Sequence, residues 1–157
     1  MSDAGTRYEL RSDAIEKLQQ IIRANVDSGD GLEEAASKIK ETTLANLFRD
    51  IAIQRTAHAD ELARMVRSNG VGPRRRGSGK AALHRFFVDF RAALNVGDPP
   101  AVLAEAQRGE DYIMHLYEGA LEELSGSAAY DVLQRQHLEV KQSYDRIRNV
   151  RDDRTNR

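Results

Sequence analysis

Arg55 and His58 stand three residues apart on a stretch that reads as one long helix, so their side chains share a face. Leu44, Leu47, Phe48 and Ile51 form an apolar stripe before them, and Leu62, Met65 and Val66 continue it afterwards. A guanidinium and an imidazole therefore occupy positions where core side chains are expected. Three other apolar stripes are interrupted in the same way. Asn25 and Gly29 break the first, Glu110 breaks the third, and Gln136 breaks the last, with Glu139 and Ser143 nearby. Two chemistries suit this set. A buried charge must be paired, and an arginine fork can hold a carboxylate with two hydrogen bonds, which makes Arg55 and Glu110 the obvious couple. Alternatively, oxygen and imidazole ligands suit Fe or Mn. His58, Glu110 and Glu139 would then be the ligands, joined by Asp27 or Glu34.

These residues need helices to carry them. Asp13, with Glu16 three residues on, can cap a first helix bearing Ile15, Leu18, Ile22, Val26, Leu32, Ala36 and Ile39. Gly29 and Gly31 each cost about 1 kcal/mol relative to alanine in mid-helix. The stripe nevertheless stays in phase across them, so a continuous helix is expected, with Gly29 allowing close approach of a neighbour. The acidic run here lacks the ligand alternation and closing glutamate of a calcium loop. Glu41-Thr42-Thr43 reads as a short turn whose threonines cap the second helix, which stops near Asn69-Gly70. A basic loop follows, from Val71 to Lys80. Its Gly77-Ser78-Gly79-Lys80 fragment lacks the first glycine and the closing Ser or Thr of a phosphate-binding loop.

Ala81 to Leu94 forms a shorter amphipathic helix. Phe86, Phe87 and Phe90 lie on one face, which either packs on the bundle or forms a subunit interface. Asp98-Pro99 starts the third long helix, and the fourth runs from about Ala128 past Val150. The expected architecture is all-α: a four-helix bundle with a long crossover that contains a short extra helix between helices 2 and 3. The bundle is expected over 12–152, between a disordered tail at 1–11 and a frayed one at 153–157.

The totals narrow the function. A chain of 157 residues can bury a real core in one domain. Net charge is −1, which argues against nucleic acid or an acidic membrane surface as partner. The absence of cysteine excludes disulfides and thiolate chemistry. No apolar leader and no membrane-spanning run is visible, so a cytoplasmic protein is expected.

Di-iron proteins of the ferritin type place a Glu on each of two helices and a Glu-x-x-His on each of the other two. Here His58 is in place, but Arg55 stands at the glutamate position. Glu139 is followed three residues on by Gln142 rather than histidine, and the first helix has no central inward glutamate. Beyond that pattern, 18–152 resembles a bacterial family of unknown function in the ferritin-like superfamily, of the rubrerythrin and bacterioferritin type. The resemblance rests on Gln54-Arg55, Ala59-Asp60-Glu61-Leu62, Leu83-His84-Arg85, Arg108-Gly109-Glu110-Asp111 and Asp145-Arg146-Ile147-Arg148. Tyr144 departs from it, standing where a histidine is usual. The resemblance implies a ferritin-like bundle, often oligomeric, and no particular activity.

The leading expectation is a non-catalytic, stress-related bundle that needs no cofactor, with an internal Arg55–Glu110 centre in place of two metals. A divergent Fe or Mn oxidase is the first alternative. An oligomeric interaction module, built on the phenylalanine face with the basic loop reaching an anionic partner, is the second. A homo-oligomer is expected in either case. His84, His115 and His137 are read as peripheral, with His137 able to reach the polar layer. Tyr112, Tyr117 and Tyr144 are read as core or boundary aromatics whose hydroxyls seek polar partners.

Overall fold

The computed structural model describes residues 9–74 and 81–156, side chains at 81–86 excepted. Among the described residues there are five helices: α1 (Ser12–Lys38), α2 (Thr42–Ser68), α3 (Ala81–Val96), α4 (Pro99–Glu123) and α5 (Tyr130–Thr155). α1 is unbroken through Gly29 and Gly31, because tertiary burial of its in-phase stripe outweighs the local glycine penalty. α5 stays helical to Thr155, past the point where fraying was expected.

Helix starts differ from the capping chemistry expected of them. Arg11 precedes α1 and Glu41 precedes α2, and neither makes a side-chain cap. Asp13, Thr42 and Thr43 lie inside the first turns instead. α4 opens at Asp98-Pro99 as expected, although the Asp98 side chain makes no cap hydrogen bond. The ends of α2 and α3 depend on glycine: Gly70 (φ 78°) and Gly97 (φ 75°) adopt the left-handed backbone that reverses the chain cheaply.

α1 packs chiefly on α2, and α4 on α5. The crossover from the end of α2 to the start of α4 returns to the opposite end of the bundle, so α2 and α4 run parallel. α3 spans part of that return, about 24 Å at 1.5 Å per residue. Two apolar clusters result. One gathers Leu18, Ile22, Leu62, Val66, Tyr117 and Leu133. The other gathers Leu32, Leu44, Phe48, Phe90, Leu103 and Ile147. The polar residues that interrupt the stripes lie between them.

Phe90 is 1% exposed and meets Phe48 edge-on, with ring centroids 6.1 Å apart. It belongs to the core and is not an interface residue. Phe87 lies against Gly31, where an added Cβ would come within 2.2 Å of its Cε1. The face therefore folds back onto the bundle through both residues, because covering Gly31 and Phe48 buries more aromatic surface than exposure would. The side chain of Phe86 lies outside the described residues, as does that of His84.

Candidate functional site

The middle of α2 supplies two side-chain pairs one turn apart, one with a guanidinium and one with an imidazole. Arg55 has no exposed side-chain surface, and its guanidinium donates through Nη2 to Oε2 of Glu110, which is 2% exposed. Nη1 donates to the side-chain oxygen of Gln54 at 2.9 Å, and Ser143 Oγ donates to that same oxygen at 2.9 Å. Gly29 makes room for this arrangement. A Cβ there would meet Thr56 Oγ1 at 3.3 Å and the Cβ of Arg55 at 3.6 Å, so α1 and α2 approach closely beside the guanidinium. Burial pushes the Glu110 carboxyl above the ordinary carboxylate range, against the pull of Arg55. A neutral Glu110 would leave the Arg55 guanidinium without a counter-charge in the core.

His58 is 3% exposed and faces Glu139, which is 35% exposed, with Nε2 2.6 Å from Oε2. Burial lowers the imidazole's proton affinity most, and the charge of Arg55 lowers it further. Glu139 and Glu61 pull the other way without reversing the outcome. His58 is therefore held neutral below the ordinary histidine range.

A chain of hydrogen bonds links all four long helices and meets the second pair at the His58 carbonyl. Asn25 Nδ2 donates to the Tyr117 hydroxyl at 2.8 Å, and that hydroxyl donates to Gln136 Oε1 at 2.7 Å. Gln136 Nε2 then donates to Glu61 Oε1 at 2.7 Å and to the His58 carbonyl at 3.3 Å. Arg135 binds the other oxygen of Glu61 at 2.5 Å. Burial by itself would raise the Glu61 carboxyl, but the bonds from Gln136 and Arg135 outweigh it and hold the group below its usual range. Burial raises the Tyr117 phenol, which stays protonated. Among the described residues, three buried atoms of this layer, Arg55 Nε, His58 Nδ1 and Asn25 Oδ1, have no hydrogen-bond partner.

Asn25, Arg55, His58, Glu110, Gln136 and Glu139 are thus drawn into one polar layer, but not as a metal site. Glu110 is taken by Arg55, while His58 and Glu139 take each other. Glu34 is paired with Lys38 (3.0 Å) and Arg91 (3.4 Å) at the surface. The carboxyl of Asp27 is raised chiefly by burial and then by Asp30. Among the described residues no three His, Asp or Glu side chains are grouped so as to hold an ion. The candidate ligands His58, Glu110 and Glu139 are not grouped in this way, since Glu110 is paired with Arg55 and His58 with Glu139. The donor set does not fit a di-metal centre.

His115 and His137 are peripheral. His137 Nε2 lies 3.4 Å from Glu118 Oε1 and does not join the layer. His115 Nδ1 is bound to its own helix at the Asp111 carbonyl, 2.7 Å away. Glu61, Gln54 and Arg135 are site residues that the apolar stripes did not single out. Their long side chains reach the layer from flanking positions.

A family described as a domain of unknown function, DUF2383, matches residues 13–123. The chain belongs to the DUF2383 family. The matched region carries Asn25, both α2 pairing residues, Glu110 and Tyr117, and stops short of α5, which brings Gln136 and Glu139. The fold of this DUF2383 chain is similar to that of a Dps1 mutant from Mycobacterium smegmatis. The two are 15% identical, with a TM-score of 0.67 over 88% of this chain and 94% of the other. The fold is a ferritin-like helical bundle. No curated protein sequence matches the chain. No helix among the described residues is long and apolar enough to cross a membrane.

Proposed function

We propose that this protein is a non-catalytic ferritin-like bundle in which the Arg55–Glu110 pair replaces a di-metal centre. The observation that carries the reading is the fully buried guanidinium of Arg55 against Glu110. A fixed positive charge about 4 Å from a divalent cation would cost the ion about 8 kcal/mol at an effective dielectric constant near 20. The guanidinium instead gives Glu110 the positive partner that burial demands. No electron-transfer or oxygen chemistry is assigned to the layer, and no cofactor is required. Self-association into a homo-oligomer is part of the same reading.

Elemental analysis of protein purified without chelators tests it. Iron and manganese are expected well below one atom per chain. Oxygen consumption with added ferrous iron should match between the wild type and Glu110→Ala. Stoichiometric Fe or Mn that disappears in Glu110→Ala would overturn the reading. Light scattering checks the assembly, which predicts a mass above 17.6 kDa.

A further inference from the structure

The end of the bundle where α1 turns into α2 carries a cleft of about 480 Å³, between that turn and the turn from α3 into α4. Its volume is in the range of small-molecule sites. Leu44 and Val102, both buried, line it together with Leu94 and Pro99. The charged residues beside this apolar lining are Lys38, Lys40 and Glu41. Two of them are already paired: Lys38 with Glu34 at 3.0 Å, and Glu41 with Arg154. Lys40 is exposed and has no ion-pair partner among the described residues. The cleft thus combines an apolar wall with one ammonium that has no ion-pair partner among the described residues, since Lys38 is already paired with Glu34.

We propose that this cleft binds a monocarboxylate with an unbranched apolar tail, the carboxylate at Lys40 and the tail against Leu44, Leu94 and Val102. The polar layer takes no part, so the site stands independently of the function assigned to that layer.

Calorimetric titration of the full chain with hexanoate, octanoate, decanoate and decanol, all below micelle formation, tests it. One-site binding is expected, tightening about fourfold per added methylene. Decanol should bind more weakly than decanoate. Lys40→Glu should weaken decanoate roughly fivefold and leave decanol unchanged, as expected for an exposed charge contact. Leu94→Trp should abolish both by filling the cleft, with helicity and melting temperature checked alongside. Should that variant unfold, the Lys40→Glu contrast between decanoate and decanol decides alone. Absence of saturable binding, equal affinity for acid and alcohol, or decanoate binding indifferent to Lys40→Glu would each overturn the proposal.

Discussion

Arg55 and His58 leave the same helix one turn apart, and each reaches a glutamate on another helix, yet the two pairs differ in kind. Arg55 and Glu110 are sealed on both sides. His58 is sealed, but Glu139 is about a third exposed. The first pair sets opposite charges where neither side chain reaches solvent, so it acts through what the loss of one would strand. The second holds a neutral imidazole against a solvated carboxylate, so it can respond to pH. Residue type and the exposure of the glutamate together separate a structural pair from a titratable one.

The largest effect is expected from Arg55→Ala. It leaves Glu110 buried and unpaired, and should cost about 3–5 kcal/mol in urea unfolding. Tyr117→Phe removes the hydroxyl that links Asn25 to Gln136 and should cost about 1–3 kcal/mol, read the same way. The pH dependence comes next. The unfolded chain binds a proton on this histidine near 6.5, whereas the folded chain resists it until lower pH. The unfolded state therefore holds more protons in that window, so stability is full above pH 6.5 and falls as pH drops through the folded value. Urea midpoints between pH 8 and 5 should show the fall in wild type and a flatter profile in His58→Gln. Glu139→Gln should cost no more than about 1 kcal/mol, in keeping with a partly exposed partner. The smallest effect sharpens the contrast most. Arg55→Met combined with Glu110→Leu should unfold within about 1 kcal/mol of the wild type, or later, since neither charge remains to be stranded.

Much of this was legible in the sequence. Helical phase alone placed Asn25, Arg55, His58, Glu110, Gln136 and Ser143 inward, and all are buried. Glu110 was the one acid at the centre of an apolar stripe, which made it the natural partner for Arg55. The partner of His58 was harder to read. Glu139 lies off the stripe and reaches inward only by the length of its side chain, and the same holds for Glu61 and Gln54. Tyr117 was readable as an aromatic seeking a polar partner, but naming Asn25 and Gln136 needs the register between three helices. The fit of Phe87 onto Gly31 depends on where α3 crosses α1, and no local pattern encodes that.

The run from Asn25 through Tyr117 and Gln136 to Glu61 has a direction. Each donor faces the next acceptor, and the sequence of bonds ends on an anion at the protein's edge. Four helices are therefore threaded on dipoles oriented by one carboxylate, which Arg135 also grips from outside. Neutralising that edge charge would slacken every link behind it, so a change made at the solvent boundary would register in the centre of α1 without any backbone having to move.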